Sequence, residues 1–345
     1  MAQRDLVFLT GATGFVGSHI LRELLSRGYS VRALRRNGHP ERSRQAAESK
    51  DGPGLSTLSE LSETKGASEP ANVEWIQGDL RDVGAFATAL RGCRYLIHCA
   101  ALYSFAPRDR SAMRAVNVDA TASLMMAAYF AGVERGVLTS SSATLGHAHS
   151  GYHRSKFEQE HAAFSSRLPI IALLPTAPIG PGDAKPTPTG RLILDFLRGK
   201  IVAKAPGHGG MNLVAVEDVA RVHVSALDLG NIGERYVIGG ENLSMDEIWN
   251  LLAEITGKRM PSWRAPYALA FTAAALDELR CRITGGVPNV PLEGVQLSRE
   301  RMYADSAPAR LDLAYEPSPV REALQRAVAW YRDAFRHTDG REKKQ

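Results

Sequence analysis

Hydrophobic residues in the first half of the chain form short runs, and stretches of helix-like spacing separate them. The first run covers 5–9; after a glycine-rich turn, apolar residues recur three and four positions apart until Gly28. Further runs lie at 30–34, 73–76, 94–98, 136–140 and 169–174, and helices are expected between them at about 82–91, 110–131 and 152–166. Alternating strands and helices form a parallel sheet covered on both faces, so the pattern predicts a doubly wound α/β fold.

The pattern changes after Pro175, where proline and glycine cluster and shorter apolar runs such as 211–216 and 235–238 follow. We therefore predict a nucleotide-binding domain over 1–174 and a smaller substrate-binding lobe over 175–336 that is interleaved with it. A frayed polar tail is expected over 337–345. Segment 37–71 is polar, with little apolar periodicity, and is expected to be a surface insertion whose role stays open.

Composition excludes several classes of protein. Of 345 residues, 44% are hydrophobic and 23% charged, as in folded soluble chains. No apolar stretch approaches the ~18 residues of a membrane helix, so we expect a cytoplasmic protein without a transmembrane segment. The three cysteines, Cys93, Cys99 and Cys281, have no disulfide-framework or metal-ligand spacing, and no metal is expected. A net charge of +5 without long basic runs gives no support for nucleic-acid binding.

Eight residues directly after the first strand, TGATGFVG at 10–17, carry three regularly spaced glycines. Glycines there allow a sharp turn and a close approach of a diphosphate to the backbone, and the following helix N-terminus attracts its charge. The motif predicts a Rossmann-type dinucleotide site formed by Gly11, Thr13, Gly14, Phe15, Val16 and Gly17.

Arg35 and Arg36 end the second strand. A carboxylate here would bind the ribose hydroxyls of NAD, whereas guanidinium groups pair with the 2′-phosphate of NADP. The cofactor NADP(H) is therefore favoured and NAD(H) remains possible. The alternative is that both arginines are solvated surface charges.

Small and acidic residues follow the third and fourth strands. Asp79 is expected to bind the adenine, and Leu80, Ala100 and Ala101 are expected to line the dinucleotide. His98 is interpreted as a packed residue at a strand end.

Tyr152 and Lys156 lie four residues apart at the start of a predicted helix, so they share one face. The helix follows a serine run, 140–142, at the end of the fifth strand. An ammonium beside a phenol favours the phenolate, which makes the tyrosine a better proton shuttle, and a serine hydroxyl can orient a reacting carbonyl.

In this order, the glycine turn, Gly78-Asp79-Leu80, Asn117, the serine run and the Tyr152/Lys156 pair resemble the extended short-chain dehydrogenases/reductases. Residues 180–190, 212–214, 218–220 and 239–242 are similar to the dihydroflavonol-reductase-like branch, closest to the hopanoid-associated sugar epimerases. The resemblance covers nearly the whole chain. The loop 143–151 and the insertion after the arginine pair differ in length from most relatives.

The resemblance implies a role for each matching residue. Tyr152 would be the acid/base, Lys156 would bind the nicotinamide ribose and lower the tyrosine pKa, and Ser141 would be the catalytic serine, with Ser142 as the neighbouring possibility. Asn117 would support the site, and Pro175 would line the nicotinamide. Substrate contacts would come from Tyr103, Phe105, Ser141, Thr187 and Asn212. The alternative for the two aromatic residues, with equal weight, is that their rings pack in the core.

These features predict an enzyme that transfers a hydride between NADP(H) and a ketone, aldehyde or alcohol. One alternative is a nucleotide-sugar epimerase or dehydratase, and another is a redox sensor that binds NADP without catalysis. The helices at 110–131 and 152–166 resemble those of a four-helix dimer interface, so a homodimer is expected.

Overall fold

The computed structural model describes residues 5–36, 72–104, 107–146, 151–201, 203–204, 207–284, 295 and 298–342. The predicted insertion 37–71 and the predicted substrate residue Phe105 lie outside the described residues.

The strands are β1 (Leu6–Thr10), β2 (Ser30–Arg35), β3 (Val73–Gln77), β4 (Tyr95–His98), β5 (Arg135–Thr139), β6 (Ile170–Pro175), β7 (Ala177–Ile179), β8 (Gly210–Ala215), β9 (Arg235–Ile238), β10 (Glu241–Ser244) and β11 (Arg301–Met302). The α-helices are α1 (Phe15–Ser26), α2 (Arg110–Arg114), α3 (Ala120–Phe130), α4 (Gly151–Phe164), α5 (Pro188–Leu197), α6 (Val216–Ser225), α7 (Met245–Thr256), α8 (Tyr267–Thr284), α9 (Ala307–Asp312) and α10 (Val320–Glu342).

The chain divides into two compact units. The first comprises Met1–Pro175, Val216–Ile238 and Ser306–Glu316, and the second comprises Thr176–Ala215, Gly239–Asp305 and Pro317–Gln345. Two segments beyond Pro175 thus belong to the first unit, although the sequence analysis placed them within the range of the second lobe.

Seven parallel strands form the sheet of the first unit, in the order β3-β2-β1-β4-β5-β6-β9. Every residue of β4 and β6 is buried, as expected for central strands that helices cover on both faces. The order reverses between β1 and β4, and ligands of such sheets bind beyond the carboxyl ends of the strands at this switch point. The predicted doubly wound fold is confirmed.

Two predicted helices take a different form. Instead of one helix over 82–91, the chain makes two short 3₁₀ turns, Val83–Ala85 and Ala87–Leu90, interrupted at Phe86. The Phe86 ring is buried and stacks on the Phe8 ring, with the centroids 6.0 Å apart, so a tertiary contact fixes the residue that breaks the helix.

The predicted helix over 110–131 contains a π-helical turn, Ala115–Asp119, between α2 and α3. Such turns are rare overall but occur frequently at functional sites. This one contains Asn117, the residue expected to support the site.

The second unit has a smaller sheet centred on β8. Strand β7 and the short β11 pair with β8 in parallel, and β10 pairs with it in an antiparallel arrangement. Helices α5, α7 and α10 supply much of the apolar core around this sheet. Helix α10 continues through residues 337–342, part of the tail that the sequence predicted to be frayed. Among the described residues, no helix has the length and apolar character needed to cross a membrane.

Candidate functional site

The turn at the end of β1 leaves no room for a side chain at Gly11 or Gly17. Gly11 has φ +79°, and a Cβ added there would lie 2.7 Å from the backbone nitrogen of Ala100. A Cβ on Gly17 would lie 2.0 Å from the Gly11 carbonyl oxygen. Gly14 precedes α1 and no side chain caps the helix, so its first-turn N–H groups suit the diphosphate of a dinucleotide.

Among the other residues predicted for this turn, Thr13 is exposed, and Phe15 and Val16 are half-buried in the first turn of α1. These positions are compatible with contact to a ligand above the turn.

The arginine pair lies at the carboxyl end of β2, as predicted. The Arg35 guanidinium carbon lies 5.2 Å from the centroid of the Trp75 ring on the neighbouring strand, which holds the side chain by a cation–π contact. Arg36 is exposed.

Asp79, the expected adenine ligand, follows β3 and is bound by Arg81. Two guanidinium nitrogens and the backbone N–H of Arg81 donate to its carboxylate at 2.7–3.0 Å. These hydrogen bonds lower the pKa of Asp79 to about 2, and the charge of Arg36 acts in the same direction. The strand ends therefore bear three arginines, of which the sequence analysis identified two.

Ala100 and Ala101 follow β4, and Leu80 follows β3. Ala100 is half-buried and Ala101 exposed, and the Ala100 N–H donates to the Thr10 hydroxyl at 3.3 Å. Leu80 is buried in the core of the first unit, and its contact with a dinucleotide stays a prediction. Pro175 is buried at the end of β6.

Tyr152 and Ser141 are brought together. Ser141 precedes the 3₁₀ turn Ser142–Leu145, and its hydroxyl accepts the Ala143 N–H at 3.2 Å. Burial raises the pKa of Tyr152 to about 12, and a hydrogen bond with the Ser141 side chain opposes this shift. Ser141 is thus a hydrogen-bond partner of Tyr152, and its catalytic role stays a prediction.

The pKa of Tyr152 is raised, whereas the sequence analysis expected Lys156 to lower it. Burial is the main cause of the raised value. The Lys156 ammonium donates to the backbone carbonyl of Thr139 at 2.8 Å and to the side-chain oxygen of Gln159. Burial lowers the pKa of Lys156 itself to about 8, while the charges of Cys99 and Glu160 act in the opposite direction.

Tyr103 extends the site. Its ring packs edge-on against the Tyr152 ring with the centroids 4.5 Å apart, and 43% of its surface is exposed. An apolar ligand near the Tyr152 hydroxyl would therefore meet an aromatic surface.

Asn117 connects three segments through its buried amide. Its nitrogen donates to the Leu102 carbonyl at 2.9 Å and to the Ser155 hydroxyl at 3.1 Å, and its oxygen accepts the Leu102 N–H at 2.7 Å. The π-helical turn thus holds the loop after β4 next to α4, in agreement with the supporting role that the resemblance implies.

A buried carboxylate lies beneath the serine loop. Glu160 accepts hydrogen bonds from the hydroxyls of Ser140 and Thr144, and its second oxygen pairs with the Arg235 guanidinium at 2.8 Å. Arg235 also donates to the Thr144 hydroxyl at 2.8 Å. These bonds fix the residues on both sides of Ser141.

Two residues predicted to contact substrate have other duties within the second unit. The Thr187 hydroxyl donates to the buried Asp183 carboxylate at 2.7 Å and caps α5 by accepting the Gly190 N–H. The buried amide of Asn212 accepts from Thr176 and the Gly240 N–H, and donates to Asn242. Each side chain connects segments of the second unit, and its contact with a substrate stays a prediction.

Sequence reasoning missed Arg81, Gln159, Glu160 and Arg235. Glu160 and Gln159 follow Lys156 at helical spacing, a signal that could have placed them on the buried face of α4. Arg235 is distant in the sequence and no local pattern indicates it.

A parallel sheet with a glycine-rich turn at its switch point, which no side chain caps, is typical of oxidoreductases that bind nicotinamide dinucleotides. Comparisons with known proteins specify the class further.

A sequence profile described as the NAD dependent epimerase/dehydratase family matches residues 7–239. A provisionally named dihydroflavonol 4-reductase from Synechocystis sp. is 34% identical, with 96% of each chain covered. Sterol demethylase protein B from Methylococcus capsulatus is 33% identical over 94% of this chain and 98% of its own. The crystal structure of gox2253 matches with a TM-score of 0.74 and 34% identity, covering 96% of this chain and 99% of that one.

The chain belongs to the NAD-dependent epimerase/dehydratase family. It is an oxidoreductase of the extended short-chain type, with relatives in the dihydroflavonol-reductase-like branch. Both the resemblance deduced from the motifs and the prediction of an enzyme are confirmed.

The Glu160 network generates a prediction about stability. A Glu160→Gln substitution keeps the shape but removes the partner of Arg235 and an acceptor shared by two hydroxyls. Breaking a fully buried ion pair costs roughly 3–5 kcal/mol. Because 38% of the Arg235 side chain is exposed, we expect a loss of about 2 kcal/mol in the free energy of unfolding, measured by urea denaturation.

Glu134→Gln is the matched control, because Glu134 pairs with Arg94 on the surface, where both side chains are exposed. Its urea midpoint is expected to equal that of the wild type. Equal midpoints for both variants would contradict the structural role of Glu160.

Proposed function

We propose that the protein reduces a ketone or aldehyde, or oxidises the corresponding alcohol, using NADP(H). The observation that carries the proposal is the half-buried Tyr152, hydrogen-bonded to Ser141 and followed one helical turn later by the buried Lys156. When bound, the nicotinamide supplies or accepts the hydride.

In this proposal, the chain handles the proton and the substrate oxygen. The Ser141 hydroxyl donates a hydrogen bond to the carbonyl oxygen, and the Tyr152 hydroxyl gives that oxygen its proton as the alcohol forms. The tyrosine is left as a phenolate. The positive charge of Lys156 stabilises this anion and so opposes the effect of burial, which raises the pKa of Tyr152 in the resting protein. Alcohol oxidation uses the same groups in reverse, with Tyr152 accepting the proton.

An apolar carbonyl compound fits best among the possible substrates. Tyr103 places an exposed aromatic ring against Tyr152, and two of the relatives are named for action on a dihydroflavonol and a sterol.

The first prediction from the proposed function concerns turnover. Purified protein with NADPH and a panel of apolar ketones is expected to lose nicotinamide absorbance, and Tyr152→Phe is expected to lower kcat about 10²–10⁴-fold because the proton donor is gone. Binding of NADPH to this variant, followed by fluorescence, should be retained. Interconversion of nucleotide sugars without net loss of absorbance would instead favour the epimerase alternative.

The redox-sensor alternative makes a different prediction for the same variant. If Tyr152→Phe retained full biological function while losing hydride transfer, the protein would act by binding NADP alone.

The second prediction concerns the cofactor, for which the family description names NAD. If Arg36 pairs with the 2′-phosphate, Arg36→Ala should raise the Kd for NADPH about tenfold and leave that for NADH unchanged, because one charge-assisted hydrogen bond is lost. Fluorescence titration measures both constants. The control Arg91→Ala removes an exposed arginine that precedes β4 and therefore lies near the amino-terminal ends of the strands. An equal loss for both dinucleotides, or tighter binding of NADH by the wild type, would contradict the preference for NADP.

The third prediction concerns a homodimer. Large apolar side chains are exposed on α3 and α4, with Phe130 at 77% and Phe157 at 58% exposed. A second copy packing on these two helices would remove this surface from water. Phe157→Glu is expected to produce a monomer in sedimentation experiments at micromolar concentration, while Leu311→Glu, a substitution at an equally apolar exposed position on α9, leaves the dimer intact. A monomeric wild type would refute the proposal.

A further inference from the structure

Beneath the Tyr152/Lys156 pair, a chain of buried hydrogen bonds crosses the first unit. The Lys156 ammonium donates to Gln159, whose amide nitrogen lies 3.1 Å from the Thr121 hydroxyl. That hydroxyl lies 2.8 Å from Nε2 of His98, and Nδ1 of His98 lies 2.7 Å from the Thr10 hydroxyl. All five side chains are buried, and four secondary-structure elements contribute to the chain.

The direction of each bond follows from counting protons. The Thr121 hydroxyl donates its single proton to the Asn117 carbonyl at 2.7 Å, so its oxygen can only accept from its other neighbours. His98 must then donate through Nε2. Because burial lowers the pKa of His98 to about 3 and keeps the ring neutral, its Nδ1 accepts from Thr10.

The same count fixes the amide of Gln159. Its nitrogen lies 3.1 Å from the Thr121 oxygen, which can only accept, and 3.4 Å from Nε2 of His98. Its oxygen faces an ammonium that can only donate. Turning the amide over would put N–H₂ against the ammonium and carbonyl oxygen against an oxygen without a proton. The buried chain therefore presents one acceptor, and no donor, to Lys156.

We propose that Gln159 is a positioning residue: anchored by the Thr121–His98–Thr10 chain, it holds the Lys156 ammonium at the end of β5 and keeps it charged for the reaction at Tyr152. The inference rests on the proposed function for its catalytic consequence. The hydrogen-bond arrangement itself is a property of the chain without cofactor.

Titratable groups face the ammonium from several elements. His98 lies on β4 and Cys99 directly after it, and both respond to the charge of Lys156. Glu160 and Tyr152 lie on α4 itself. On the far side of Thr139, the buried His223 of α6 bonds the Thr139 hydroxyl, and burial lowers the pKa of that histidine to about 4. Because both histidines are neutral near pH 8, the lysine titration is separated from theirs.

Two nearly isosteric substitutions should move the pKa of Lys156 in opposite directions. Gln159→Leu removes one of the two acceptors and disfavours the ammonium, so the pKa falls from its value of about 8. Gln159→Glu puts a carboxylate at the same place and favours the ammonium, so the pKa rises. We expect shifts of about one pH unit each.

The direct measurement is an NMR titration of protein with ¹³C-labelled lysine side chains, without cofactor. The Lys156 signal is identified by its loss in Lys156→Met. Thr121→Val frees the Gln159 amide to turn and should shift the pKa in the same direction as Gln159→Leu, by a smaller amount. This variant leaves Gln159 in place, so it tests the proposal even if both Gln159 variants fail to fold.

A kinetic measurement adds the functional consequence. The alkaline limb of the kcat/KM profile, where Lys156 loses its proton, should move to lower pH in Gln159→Leu and to higher pH in Gln159→Glu. Arg154→Gln is the charge-matched control for Gln159→Glu, because each substitution makes the net charge more negative by one. Arg154 lies at an exposed position on α4, so this variant should leave both readouts unchanged.

Unchanged lysine titrations in Gln159→Leu and Gln159→Glu would overturn the proposal, as would shifts of the same sign. A purely structural role would lower activity at every pH without moving the titration. Because the NMR experiment needs neither cofactor nor turnover, failure of the proposed reaction and failure of this inference give different results.

Discussion

A positive charge buried at the carboxyl end of a strand constrains the whole candidate site. Only 2% of Lys156 is exposed, and removing an ammonium from water costs several kcal/mol unless acceptors replace the lost solvent. The Thr139 carbonyl is available because it belongs to the last residue of β5, and Gln159 supplies the second acceptor one turn further along α4. The buried ammonium therefore requires an acceptor at the end of β5 and another on the buried face of α4.

Features encoded by short segments were predictable from the sequence. The glycine turn depends on backbone space at Gly11 and Gly17, and only one residue type provides that space. Strands and most helices follow from periodicities of two and 3.6 residues, and the alternation of the two element types then limits the sheet to a parallel, doubly wound form. The positions of Tyr152 and Ser141 near each other followed from both lying beyond the same strand.

Features that depend on distant contacts were not predictable in the same way. Helical spacing over 82–91 gave no sign that Phe86 would leave the helix to stack on Phe8 of β1. The bonds that Thr187 and Asn212 make within the second unit could not be predicted from residue type, because an N-cap and a strand connector require the same hydroxyl and amide groups as a ligand contact. The raised pKa of Tyr152 depends mainly on the burial of its side chain, which spacing along one helix does not specify.

Helix α4 shows how these demands change an ordinary amphipathic pattern. Its buried face carries Ser155, Lys156, Gln159 and Glu160, while Phe157 is exposed. Each buried polar group has partners, from the lysine at the strand end to the carboxylate beneath the serine loop, so burial costs are offset by hydrogen bonds and an ion pair. These polar groups occupy the inward face of the helix, and the Phe157 ring lies on the outer face. A hydrophobic contact of this helix with a second copy would therefore use the outer face, which carries none of the buried polar groups. The polar interior of the site is in this way linked to the proposed assembly of the protein.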